Sequence, residues 1–171
     1  MASNVQTLTR GLRALKTILQ KAESHAISTN IPPTDLVTAR LVPDMLPLHF
    51  QVFTVTNSAV KAVARGTFTD PPAQKDTDRS FEEFYARIEE TLASVQGVDV
   101  AVLDANKEKV IKVPMGPREV EFTVENYVNA FTVPTFFFHL VTAYDILRAK
   151  GVPLGKLDYL GGFLQGDTPS V

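Results

Sequence analysis

The sequence predicts an all-α protein, a four-helix bundle with a small β-hairpin inserted before the last long helix. Four segments repeat apolar residues at the spacing of three and four that is typical of helices. One segment, KVIKVPMGPREVEFT, instead alternates with a period of two around a Gly-Pro turn, as a hairpin does. With 171 residues, 44% of them hydrophobic, we expect residues 1–171 to form a single helical-bundle domain with one core.

The first two helices are predicted from apolar periodicity and from prolines. Helix one spans Val5–His25 and ends near Ala26, because the Pro32-Pro33 pair follows. After a short turn, Pro43 is placed as the first residue of helix two, where its missing N–H costs nothing. Helix two then continues to Gly66.

The second half of the chain supplies two more helices and the hairpin. Residues 67–79 are rich in Pro, Asp and Thr and are predicted to form a surface loop. Ser80 and Glu83 have the spacing of a capping box at the start of helix three, which Gly97 closes. The hairpin over residues 109–123 leads directly into helix four, residues 124–150.

A proline interrupts the last helix, and a Gly-rich tail follows it. Pro134 is predicted to kink the helix just over one turn before His139 and to free the carbonyl of Ala130. Gly151 ends the helix. The tail, Pro153–Val171, is Gly-rich and has two expected forms: it folds back as a lid, or it frays.

Composition and charge exclude several classes of function. A net charge of −2 with interspersed signs gives no basic surface for nucleic acid. The absence of cysteine excludes disulfides, thiolate metal sites and a cysteine nucleophile. The longest apolar run, residues 130–141, is too short to cross about 30 Å of bilayer. We expect a cytoplasmic protein with neither nucleic acid nor membrane as its partner.

The candidate chemistry rests on three histidines, His25, His49 and His139. Each falls on or beside the inward stripe of a different helix, and His139 is expected to be largely buried. If the three converged, they would hold a divalent metal with an open coordination position. Two other hypotheses remain open: core histidines that bond a carbonyl or carboxylate, or a metal-free pocket.

In the metal-free hypothesis a neutral His139 orients a small molecule and transfers or shares a proton, with Tyr144, Asp44 or Gln51 nearby. The motifs of nucleotide cofactor sites are missing: the sequence has neither a Gly-rich phosphate loop nor a dinucleotide fingerprint. No cofactor is therefore predicted.

Several sequence pieces together resemble a known family. They are Ala39-Arg40-Leu41, Pro43-Asp44-Met45, Gln51, Phe138-His139, Tyr144, Leu147-Arg148 and Gly151-Val152-Pro153-Leu154-Gly155. With them, almost the whole chain is similar to fungal members of an uncharacterised domain-of-unknown-function family in the DinB/YfiT-like four-helix-bundle superfamily.

The resemblance carries its own implications for the site. The superfamily implies a divalent metal on three histidines, one from the second helix and two a turn apart on the last. Here His49 and His139 match in position, but Thr135 and Ala143 leave the paired ligand missing. The closer family implies a pocket bordered by His25, Arg40, Asp44, Gln51, His139 and Tyr144, and by analogy a cofactor-free cyclase or isomerase.

The predicted function is therefore a metal-independent enzyme of cyclase, isomerase or lyase type that acts on a mostly apolar metabolite. The predicted catalytic residues are His139, Tyr144 and Gln51, with His139 donating a hydrogen bond or proton to a substrate carbonyl. The predicted substrate-binding residues are His25, Arg40, Asp44, Met45, His49 and Phe136. The alternatives are a divalent-metal-dependent hydrolase or transferase, and a non-enzymatic bundle whose apolar helix face forms a homodimer or binds another protein.

Overall fold

The computed structural model describes residues 1–164 and has the predicted architecture. Its elements are α1 Ala2–Ser28, α2 Pro33–Val37, α3 Leu48–Gly66, α4 Phe81–Gln96, α5 Val100–Asn106, β1 Val110–Met115, β2 Arg118–Thr123, α6 Val124–Tyr127, a π-helical segment Val128–Thr132, α7 Val133–Ala149 and α8 Lys156–Leu164. The long helices α1, α3, α4 and α7 pack on one another as the bundle, so the predicted four-helix bundle is confirmed.

The core lies where the inward stripes of these four helices meet. It is formed by aliphatic and aromatic side chains with no exposed surface, among them Leu12, Val52, Phe84 and Leu140. The ring of Phe136 lies directly against the backbone of Gly11, where a Cβ atom would overlap it. The apolar periodicity therefore places α7 in the centre of the fold, against both α1 and α3.

The predicted start of helix two at Pro43 is wrong. Residues 43–45 form a turn and a bend, residues 46–47 have no regular structure, and α3 begins at Leu48 with Pro47 as its N-cap. The physical reason is Pro47, which lacks the N–H that a helix starting at Pro43 would need and disfavours the helical conformation at Leu46. The carbonyl of Leu46 is consequently left outside the helix.

At Pro134, where a kink was predicted, the structure has a π-helical turn in Val128–Thr132 that leads into α7. The N–H of Val133 bonds the carbonyl of Val128, five residues earlier. Pro134 then falls in the first turn of α7, where its missing donor costs little. The wider turn leaves Thr132 fully buried, with its hydroxyl unpaired among residues 1–164.

The hairpin before the last long helix is confirmed. Strands β1 and β2 pair antiparallel from Val110 opposite Thr123 to Met115 opposite Arg118, and Gly116 takes a positive φ of 61° in the turn. Helix α5, between α4 and the hairpin, was not predicted. It has only 7 residues, too few to establish a helical period, although Asp99 caps it by accepting the N–H of Ala101.

The tail folds back as far as the structure describes it. Helix α8 packs on α1, and a Cβ at Gly162 would lie 2.7 Å from the backbone nitrogen of Ala14. Lys21 donates to both carboxylate oxygens of Asp158 at 3.0 and 2.9 Å, which fixes the first turn of α8. The rest of the predicted lid, residues 165–171, lies outside the described residues.

The stretch Val124–Ala149 is long and apolar enough for a membrane span by length and composition alone: it has 26 residues and contains an 18-residue window with a mean hydropathy of 1.3. The expectation of no such segment counted only its uninterrupted apolar run. In the fold this stretch carries Phe136, Leu140 and Ile146, which have no exposed surface. Packing at the centre of the bundle accounts for the buried share of this stretch, 39% of the apolar window, while Phe138 and Val141 remain exposed.

Candidate functional site

A side-chain hydrogen bond between the central helices joins His139 of α7 to Gln51 of α3. The imidazole Nδ1 lies 2.6 Å from the Gln51 Oε1. The Gln51 amide nitrogen donates to the carbonyl of Leu46 at 2.8 Å, so the amide oxygen must be the atom that faces the histidine. An amide oxygen only accepts, and Nδ1 therefore carries the proton and donates it.

The delayed start of α3 makes this arrangement possible. If the helix began at Pro43, the carbonyl of Leu46 would accept an intrahelical bond from the N–H of Phe50. Instead that N–H bonds the carbonyl of Pro47, at 3.1 Å. The orphan carbonyl of Leu46 is then available to hold the Gln51 side chain. Through this chain of contacts, Pro47 determines the tautomer of His139.

The second imidazole nitrogen, Nε2, is open. Burial lowers the pKa of His139, so the ring is neutral at neutral pH and Nε2 has a free lone pair. Within residues 1–164 Nε2 has no hydrogen-bond partner, yet it is not sealed from solvent. The sequence predicted that His139 is largely buried, and that prediction is wrong: the side chain is half-buried. The ring thus presents a proton acceptor to the outside.

Two aromatic rings pack against the imidazole of His139. Phe50 meets the imidazole edge-on at a centroid distance of 6.0 Å, and Phe138 does so at 5.2 Å. Phe138 is 61% exposed, which is unusual for so large an apolar side chain. Phe53, beside Phe50, lies under the guanidinium of Arg87. The imidazole of His139 is therefore in contact with an aromatic surface that extends through Phe53 toward Arg87 of α4.

The residues just before α3 form the turn that carries the carbonyl of Leu46. Arg40 donates to the carbonyl of Met45 at 2.6 Å and thereby braces the turn that carries Leu46. Met45 is half-buried, while the side chains of Arg40 and Asp44 are exposed. These predicted binding residues lie on the segment that leads to Gln51.

The other two histidines have separate surroundings. Nδ1 of His49 lies 2.9 Å from a carboxylate oxygen of Asp76, which Arg79 also contacts at 3.2 Å. This pair attaches the loop before α4 to the start of α3. His25 is half-buried in the last turn of α1, and its side chain forms no hydrogen bond with residues 1–164.

Tyr144 and Phe136 are separated from the open edge of His139. Five helical residues rotate Tyr144 by about 140° around α7, and it lines a cleft toward α8 instead. Phe136 is fully buried against Gly11. The structure brings together His139 and Gln51, and it does not bring Tyr144 to them. The roles predicted for these residues stay predictions.

A three-histidine metal does not fit this donor set. No group of three or more metal-ligating side chains is assembled anywhere in the described part of the chain. Thr135 and Ala143, one turn either side of His139, offer no second imidazole on α7.

Sequence reasoning missed Asp76 and the carbonyl of Leu46 as parts of this region. Asp76 lies 27 residues from His49 in a loop without periodicity, so no local pattern indicates the pair. The Leu46 carbonyl had a signal, because the Leu46-Pro47 dipeptide predicts a helix boundary there.

Two comparisons relate the chain to known proteins, and a third finds no match. The family model described as "Domain of unknown function (DUF1993)" matches residues 2–160. The crystal structure of a DinB family member protein from Shewanella denitrificans superposes with a TM-score of 0.84 and 30% sequence identity, over 98% of this chain and 92% of that one. No curated protein matches the chain significantly.

Proposed function

Because the chain belongs to the family described as Domain of unknown function (DUF1993) and has a DinB-like helical fold, neither of which specifies a reaction, we propose a function from the site itself. The protein is a metal-independent enzyme of isomerase type that acts in the cytoplasm on a mostly apolar carbonyl compound. The observation that carries the proposal is the neutral His139, held by Gln51 with Nε2 open.

The proposed step is proton transfer next to a carbonyl. Nε2 of His139 accepts a proton from the carbon beside the substrate carbonyl, the C–H electron pair forms a C=C bond, and the carbonyl oxygen becomes an enolate. The imidazolium then donates a proton to a different atom of the enolate, which completes an isomerisation. If its N–H first exchanges with solvent and the proton goes back to the original carbon, deuterium from deuterated water enters the substrate there. A cyclase would use the same enolate as its nucleophile. Such general bases contribute about 100- to 10,000-fold to rate.

Gln51 acts as the positioning residue in this proposal. Its Oε1 accepts from Nδ1–H in both protonation states of the ring, so it orients the imidazole and stabilises the imidazolium that forms. The tautomer also changes the role predicted for His139: with the proton held at Nδ1, Nε2 accepts first and donates only after it has been protonated.

The aromatic residues around His139 support an apolar substrate. The exposed ring of Phe138 and the ring of Phe50 pack against the imidazole that carries the acceptor nitrogen. Contact with an apolar ligand would remove their surface from water, at about 25 cal/mol per Å². Proximity of that surface to a single base favours a substrate with one acidic C–H and a largely hydrocarbon body.

The test is hydrogen exchange in deuterated water. The wild type should catalyse deuterium uptake beside the carbonyl in at least one of a panel of alkyl and aryl ketones, followed by NMR. His139→Ala should reduce the rate about 100-fold or more, and Gln51→Leu should reduce it less. Tyr144→Phe serves as the matched control on the far face of α7. Failure of the wild type to exceed His139→Ala on every ketone would refute the proposal.

A second candidate, a homodimer or protein-binding module, is favoured by exposed apolar side chains on α7. Phe138 is 61% and Val141 41% exposed. A second copy that covers Phe138 would explain this exposure. Sedimentation velocity should then give a dimer for the wild type and a monomer for Phe138→Ser. A wild-type monomer at all accessible concentrations would exclude the homodimer.

A further inference from the structure

A cleft between α7 and α8 lies on a different face of α7 from the open edge of His139. Its volume is about 300 Å³, and its lining residues are Val141, Tyr144, Asp145, Lys156 and Tyr159. That volume is at the lower end of the range for small-molecule sites, about 300–1,000 Å³. The lining combines an apolar surface with two phenols and two opposite charges, a composition typical of sites that fix a ligand's orientation.

The polar groups of this cleft have no partners within residues 1–164. Asp145 and Lys156 form no ion pair with each other or with any other described side chain, and neither phenol forms a hydrogen bond. None of these atoms is sealed from solvent. Burial raises the pKa of Tyr159, which keeps its phenol protonated and able to donate. The Lys156 ammonium group, the Asp145 carboxylate and the two phenols thus remain available to a ligand.

The wall formed by α8 is held in place without a ligand. Asp158 accepts from Lys21 of α1 and, at 2.6 Å, from the N–H of Gly155, so the first turn of α8 is fixed. Further along, Gly162 lies against α1 where a Cβ would come within 2.8 Å of the carbonyl of Arg10. The cleft is therefore preformed, and binding does not have to order this helix.

The aromatic side of the cleft is also fixed. Tyr159 lies 5.3 Å from the ring of Phe163, which in turn lies 5.9 Å from Phe137. This row of rings connects α8 to α7 beneath the cleft. Because Tyr159 lines the cleft, a planar ligand can pack on its ring at the centroid separation of about 4.5–7 Å that aromatic pairs favour.

We propose that this cleft binds a small aromatic zwitterion of the amino-acid type. The ring of the ligand packs on the tyrosines and Val141, its ammonium group binds Asp145, and its carboxylate binds Lys156. A neutral hydrocarbon would leave both charges unused, and a ligand with one charge would use only one of them. Charge complementarity therefore selects the ligand class.

L-Tryptophan is a suitable probe because the chain contains no tryptophan, so indole fluorescence reports the ligand alone. Titration of the full chain should give saturable binding of L-tryptophan. Tryptamine lacks the carboxylate and indole-3-propionate lacks the ammonium, so each should bind at least tenfold more weakly. Equal binding of all three, or no saturable binding of L-tryptophan, would overturn the proposal.

Charge variants assign the two contacts separately. Asp145→Asn should weaken L-tryptophan binding at least tenfold without weakening indole-3-propionate, and Lys156→Met should do so without weakening tryptamine. The matched controls are Lys112→Met and Glu121→Gln, an exposed pair on the hairpin, which should change nothing. Circular dichroism confirms that each variant is folded.

His139→Ala separates this site from the proposed catalytic one. It should leave L-tryptophan affinity unchanged even if it abolishes deuterium exchange. Loss of L-tryptophan binding in the folded His139→Ala variant, or unchanged affinity in both Asp145→Asn and Lys156→Met, would place the ligand elsewhere and refute the assignment.

Discussion

Replacement of Gln51 by leucine tests the central contact most directly. Gln51→Leu removes two hydrogen bonds, 2.6 Å to His139 and 2.8 Å to the carbonyl of Leu46. Leu46 is exposed, so water replaces its lost donor at little cost. The Nδ1–H of the half-buried His139 has less access to water, and its loss of a partner should cost about 1–2 kcal/mol.

This decrease in the free energy of unfolding can be measured in two ways. For a chain of this size, 1–2 kcal/mol corresponds to a decrease in Tm of about 2–8 °C. Urea unfolding followed by circular dichroism gives the free energy itself. Gln20→Leu, the same substitution at an exposed position on α1, is the control and should have almost no effect.

In the same variant, the imidazole of His139 should no longer be restricted to the tautomer protonated at Nδ1. In the wild type, a long-range proton–nitrogen correlation spectrum should show His139 protonated at Nδ1, and in Gln51→Leu a mixture of the two tautomers. Gln51→Glu keeps an acceptor at this position and should retain the Nδ1–H form. If Gln51→Leu unfolded at the wild-type urea concentration and kept one tautomer, the hydrogen bond would not be what fixes the imidazole.

Three further predictions follow from burial and close packing. Because burial lowers the pKa of His139 below its ordinary 6.5, the unfolded chain binds a proton that the folded chain does not; stability should fall as pH drops below 6.5, and urea unfolding should show a smaller fall in His139→Gln. Gly162→Ala should cost about 1–3 kcal/mol, because the new Cβ meets backbone atoms of α1, whereas Gly161→Ala, with open space around it, should be neutral or stabilising in thermal melts. Thr132→Val should raise the free energy of unfolding by about 1 kcal/mol, because it removes a buried hydroxyl that lacks a partner within residues 1–164; a loss of stability would instead indicate a partner for that hydroxyl.

The candidate site was predictable only in part. Gln51 and His139 were both chosen from the sequence. They are 88 residues apart in the chain, and no local pattern indicates that their side chains form a hydrogen bond with each other. The placement of Tyr144 with them failed to account for the rotation of successive residues around α7. The cleft between α7 and α8 needed the path of the tail, which its Gly-rich composition did not reveal.

The sequence by itself determined the long helices, the hairpin and the inward stripes. These depend on periodicities of 3.6 and 2 and on capping residues such as Ser80, which act over a few residues. The tertiary structure decided what those residues touch. Pro47 and the π-helical turn before Pro134 set where α3 and α7 begin, and Gly162 sets how closely α8 lies on α1. Such contacts depend on distances between segments remote in the chain, and a local pattern of side chains carries no information about those distances.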